Sequence, residues 1–132
     1  MVSVTLLYAA VLAALAVVLS ARAGLYRAKA GISIHFGEPP NHELEERVRV
    51  HQNFVEYVPL ILILMGGIEL GGGSVTFLHS AGVALIVARL AHAVGLKHDN
   101  MQHPGRLVGA GGTTLVMLAC IGYGLWLSLK GS

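Results

Sequence analysis

Arg49, Asn53 and Glu56 stand at i, i+4 and i+7 in the stretch from Glu45 to Leu60. On an α-helix that spacing is one face. The face offers a cation, an amide and a carboxylate, which is equipment for holding a polar, charged small molecule. An apolar run from Ile61 to Ile68 follows directly. These groups therefore continue to the edge of a membrane-type segment, and Glu56 is expected inside it. A charge at that depth is expensive, so it needs a partner and often has a task. Arg89 and His92 form an i, i+3 pair in a later apolar segment, and Arg106 stands near the start of the last one.

Two consequences follow. Glu56 is a natural partner for an arginine on another helix, most simply Arg89. Arginines left over need an anion that the chain does not supply, either a lipid phosphate or an anionic ligand. Each residue also has a plainer explanation. Arg22, Arg27 and Lys29 can act as anchors that snorkel to headgroups. Arg47 lies on the opposite helical face from Asn53, which favours headgroup or solvent contact. His51 is off the Arg49–Glu56 face, and a structural hydrogen bond is as good a reading as ligand contact. Asn53 can tie two helices together. A Glu56–Arg89 pair can be purely bundle-fixing. Tyr57 can be an interfacial aromatic, and Arg106 a membrane-end anchor whose place at a helix start suits a bound anion. The joint clustering at one end tilts the balance toward a binding site.

The elements that must position these groups are membrane helices. Of 132 residues, 55% are hydrophobic and 12% charged, against about 25% charged in soluble domains. The net charge of +2 and the lack of a basic cluster interleaved with aromatics exclude nucleic acid as a partner. The single cysteine, Cys120, cannot form an intrachain disulfide, and no Cys/His spacing resembles a zinc site. Apolar runs predict helices at about 2–28, 41–70, 75–95 and 105–129, each near or above the roughly 20 residues that cross a bilayer. Asn41 is the expected N-cap of the second, whose polar first half should project from the membrane. The first run exceeds a signal-peptide core and lacks a basic lead, so a retained helix is expected. The fold class is all-α integral membrane, one four-helix bundle.

Arg22, Arg27, Lys29, Arg47, Arg49, Arg89, Lys97 and Arg106 fall on one side of such a topology and Lys130 on the other. That bias places both chain ends away from the cytoplasm and the polar cluster toward it. Gly67-x-x-x-Gly71 and Gly105-x-x-x-Gly109 permit close helix approach. Four thin helices cannot easily hide this many polar groups alone, so a homo-oligomer with sites between subunits is expected.

The run Arg49-x-His51-x-Asn53-x-x-Glu56-Tyr57-x-Pro59 resembles the second-helix signature of the MAPEG family, membrane-associated proteins in eicosanoid and glutathione metabolism. The Arg89-x-x-His92 pair and Arg106-x-x-Gly109-x-x-x-Thr113 agree in order, and the resemblance covers essentially the whole chain. It implies a homotrimer in a bacterial inner membrane with glutathione, as co-substrate, between adjacent subunits. By position, Asn53, Glu56 and Tyr57 would contact glutathione, with Arg49 and His51 in support. Arg89 would hold Glu56 or a glutathione carboxylate, with His92 beside it. Arg106 matches the arginine at the glutathione sulfur. A first-helix cation, Arg27 or Lys29, belongs to the same site.

The implied activity is a membrane glutathione S-transferase acting on hydrophobic electrophiles or lipids, extending to peroxidase action on lipid hydroperoxides. The prostaglandin synthase branch has a serine directly after the helix-4 arginine, a tyrosine four beyond it and a helix-3 tyrosine. Here these are Leu107, Ala110 and Leu96, so that activity is not expected. The alternative reading is a non-catalytic, ligand-presenting member of the family. A transporter or proton relay could draw on Glu56 and His92, but broken helices and an inverted repeat are missing.

Overall fold

The computed structural model describes residues 1–131. Four helices follow one another: α1 Ser3–Lys29, α2 His42–Leu70, α3 Val75–Gly95 and α4 Pro104–Lys130. Each is long and apolar enough to cross a membrane, and no strand occurs among the described residues. The expected helix bounds hold to within about a residue.

The helix starts follow from short-range chemistry. The Asn41 Oδ1 accepts from the Leu44 N–H at 3.0 Å, and Glu43 and Glu45 occupy the first turn of α2, where negative charge suits the helix dipole. The Ser74 Oγ accepts from the Phe77 N–H at the start of α3. The His103 ring caps α4 by accepting from the Gly105 N–H, with Pro104 at the first helical position. The start of α1 is capped from a distance. Its Val4 and Thr5 N–H groups donate to the two oxygens of Glu69, near the end of α2, at 2.8 and 2.7 Å.

The buried interior is apolar, with Leu12, Ile61, Met65, Leu78, Leu85 and Cys120 closed off from the surface. The outside is apolar too. Leu6, Val18, Ile63, Val87 and Leu118 are all more than half exposed, as suits a lipid-facing surface. In lipid, burial of apolar surface gives little drive between helices, so close packing must supply it. Between α3 and α4 it does. Gly95 lies against the Gly105–Arg106 backbone and Gly109 lies against His92. A Cβ at either would collide with those neighbours. Gly105 and Gly109 thus perform the close approach that their spacing suggests, whereas Gly67 has nothing within 4 Å of its Cβ position.

This contact sets the first turn of α4 beside the last turn of α3. Gly109→Leu is expected to force the two helices apart, at a cost of about 1–3 kcal/mol or more. The check is the thermal midpoint of the detergent-solubilised protein; an unchanged midpoint would show that the contact is not tight.

Candidate functional site

Arg89 is the most deeply placed charge, with 1% of its surface exposed. Its guanidinium reaches three helices. One Nη1 donates to the Asn53 Oδ1 of α2 at 2.9 Å and to the Thr113 Oγ1 of α4 at 3.3 Å. The Nη2 lies 3.3 Å from the Nδ1 of His92 on its own helix. The Phe54 ring centroid stands 5.6 Å away, within cation–π range. The Nε has no partner among the described residues. Thr113 is itself oriented, its hydroxyl donating to the Gly109 carbonyl at 2.7 Å.

Arg89 therefore does not pair with Glu56, as the sequence suggests it should. Glu56 is exposed on the outer face of α2, while Asn53, three residues earlier, turns inward. The reason is rotational. The two positions lie roughly 60° apart on the helix, and α3 packs on the Asn53 side. Both Nη groups are met by neutral acceptors, which removes part of the desolvation cost without a counter-charge.

Next to this network lies an open hollow of about 420 Å³ between α2, α4 and the α3–α4 connection. Arg49, Asn53, His92 and Arg106 line it, with Glu45 and Ala110. A smaller recess of about 50 Å³ joins Asn53, Tyr57, Arg89 and Thr113. Arg106 is half-buried in the first turn of α4, and its side chain has no hydrogen-bond or ion-pair partner among the described residues. Arg49 is exposed and donates to the Gln52 side chain at 3.1 Å. Of the nine candidate residues, Arg49, Asn53, His92 and Arg106 line this hollow, and Arg89 joins them through its contacts with Asn53 and His92.

The others stand apart within one chain. Tyr57 borders the smaller recess only. Glu56 and half-buried His51 line neither hollow. Arg27 is committed elsewhere, its Nη1 donating to the His35 carbonyl at 2.7 Å and so fastening the loop after α1. Lys29 is exposed at the end of α1.

Two contributors carry no assigned role in the sequence reading. Thr113 is one; its spacing of seven from Arg106 on a common face was the available signal. Glu46 is the other. One of its oxygens accepts from the His98 N–H at 2.9 Å and lies 2.8 Å from that ring's Nδ1, while the other takes the Lys97 ammonium at 3.3 Å. Glu46 thereby pins the α3–α4 connection onto α2 as one wall of the hollow. No spacing rule reveals a contact between residues 46 and 98.

Asn53→Ala removes an acceptor from a buried cation and is expected to destabilise the bundle by about 1–3 kcal/mol. Glu56→Ala, on the outer face, should cost the isolated chain far less. Thermal midpoints in a detergent that keeps the chain monomeric would contradict this geometry if the order were reversed.

The sequence pattern of the MAPEG family matches residues 5–126. The Inner membrane protein YecN of Escherichia coli strain K12 is 30% identical over 93 residues, which cover 70% of either chain. The protein of that name in Escherichia coli O6:H1 matches to the same extent. No solved structure gives a significant match. The pattern covers all four spans, including the α2 face, the α3 pair and the α4 arginine just described, and the chain belongs to the MAPEG family.

Proposed function

We propose that this protein is a glutathione S-transferase of the bacterial inner membrane. It binds glutathione in the hollow beside Asn53, holds it as the thiolate at Arg106, and joins it to apolar electrophiles that arrive from the lipid. The observation that carries this reading is the state of Arg106. It stands in the first turn of α4, at the positive end of the helix dipole, its guanidinium without a partner among the described residues. A cation there is poorly placed for helix stability. It is well placed to receive an anion, because the unpaired guanidinium stands at the positive end of the helix dipole.

The chemistry follows. A thiol is a weak nucleophile with an ordinary pKa of about 8.5, and a nearby guanidinium favours the thiolate. The thiolate sulfur attacks the electrophilic carbon, a C–S bond forms, and the leaving group departs with its electron pair. Arg49 and Asn53 would hold the polar backbone of glutathione, while Arg89 adds positive potential and His92 adds shape behind Asn53. Holding both reactants in register supplies the proximity advantage. Reduction of lipid hydroperoxides is a second use of the same thiolate.

The working unit in this reading is a homotrimer with a site between adjacent copies. Arg49, Glu56 and Tyr57 are exposed on the outside of α2, where lipid is a poor solvent for a carboxylate. A second copy would cover them, and would explain why His51, Glu56 and Arg27 stay outside the hollow of a single chain. The alternative, ligand presentation without chemistry, draws on the side chains around Arg106. Ala110 lines the hollow and Leu107 follows Arg106, so neither position offers a hydroxyl.

Arg106→Ala is expected to retain glutathione binding and to lower turnover about 10²-fold. Thiolate formation, read by ultraviolet difference absorbance near neutral pH, should vanish in the variant. Binding without any thiolate signal in the wild-type protein would favour ligand presentation, and unchanged turnover would remove Arg106 from the mechanism. Glu56→Gln is expected to weaken glutathione affinity or trimer assembly. Light scattering with calorimetry checks this, and an intact trimer with wild-type affinity would make the carboxylate dispensable.

A further inference from the structure

The end of the bundle that carries Arg106 contains a second, separate hollow. α1 touches α3 closely where the Tyr8 ring lies against Gly82. Toward the other end an opening of about 370 Å³ remains between α1, α2 and α3, within the range of about 300–1,000 Å³ common for small-molecule sites. Its floor is apolar, formed by buried Leu19 and Val50 with half-buried Ala93. Its rim is charged, with Arg22, Arg47 and Lys97. Arg106 and Asn53 do not line it. Glu46, with Lys97 and His98, borders both hollows and is the wall between them.

The rim charges are unevenly matched. Glu43 is committed to Arg47 at 2.6 Å, and Glu46 to Lys97 and His98. Arg47 also donates to the Arg22 carbonyl at 3.2 Å, and its guanidinium lies 4.5 Å from the Tyr26 ring centroid. The Arg22 guanidinium itself has no partner among the described residues. Arg22 lies seven residues before the end of α1, about 10 Å along the axis, in a helix of about 40 Å. A hydrocarbon core is about 30 Å thick, so Arg22 stands at the depth where headgroup phosphates begin. Val11 and Val18 continue along α1 toward the membrane centre as exposed apolar surface. A second shallow groove on the outer side of α1, carrying Val18, Leu25 and Lys29, shares Arg22 and Arg47.

We propose that this hollow seats the phosphodiester headgroup of an anionic glycerophospholipid. Arg22 and Arg47 hold the phosphate through their planar donor forks, Lys97 closes the far side, and an acyl chain lies along Val18 and Val11. A free anion would meet the same cations, but the exposed apolar flank of Val18 and Val11 has a use only for a ligand with a hydrocarbon tail. Basic pockets between spans are a recognised means of selecting anionic headgroups.

The experiment is native mass spectrometry of the full chain in mild detergent. The probes are phosphatidylglycerol, phosphatidylcholine of the same acyl chains, and inorganic phosphate. Wild-type protein is expected to retain phosphatidylglycerol about tenfold better than phosphatidylcholine. Arg22→Gln and Arg47→Gln should each abolish most of that preference, Arg22→Lys should keep part of it, and Arg106→Gln should leave it intact. Ala93→Phe, which fills the hollow and leaves every charge in place, should also remove the lipid and serves if a rim variant fails to fold. Equal retention of the two lipids by wild-type protein would overturn the proposal. So would retention unchanged in the Arg22, Arg47 and Ala93 variants, or millimolar inorganic phosphate displacing the lipid.

Discussion

A guanidinium shut inside a membrane bundle is the constraint on which the rest of this structure depends. Arg89 cannot be left bare, and it meets no carboxylate among the described residues. It is satisfied by an amide from α2, a hydroxyl from α4 and an imidazole from its own helix. The contacts to α2 and α4 fix how those helices are rotated about their axes, since only one rotation of α2 offers Asn53 inward and only one of α4 offers Thr113. Glycine contacts between α3 and α4 then bring the helices near enough for the hydroxyl to reach. Polar satisfaction and close packing are one arrangement here, and neither is attainable without the other.

The same arrangement leaves a local conflict unresolved at the start of α4. Capping by His103 and Pro104 begins the helix where Arg106 must sit in its positive first turn. Nothing among the described residues relieves that placement. Residues held against their local preference are where function concentrates. Arg22 is a second conflict of this kind, an unmatched cation on an apolar helix. Its surroundings differ from those of Arg106, with an apolar floor rather than an amide and an imidazole, and so the two suit different anions.

Much of this was legible in the sequence. Four long apolar runs, the Asn41 cap and the glycine pair on the fourth span needed only local rules, because helix length and capping are local properties. Convergence of Arg49, Asn53, His92 and Arg106 was legible from their common level in the membrane. The partner of Arg89 was not. Asn53 and Glu56 share a face at the resolution of a helical wheel, and the choice between them is made by the angle at which α3 packs. Charge complementarity favoured the carboxylate, and geometry delivered the amide. Glu46 was equally hidden, since its partners lie in a loop about fifty residues away whose path no periodicity describes.

The cap on α1 has a bearing on how the chain enters its membrane. The first donors of α1 are met by Glu69, which is synthesised 65 residues after Val4. Until α2 has crossed, those donors have only water or lipid headgroups to bond. The start of α1 therefore completes its backbone hydrogen bonding only once both opening spans are in place. The carboxylate that completes it must itself remain at, or be carried to, the membrane surface where α1 begins.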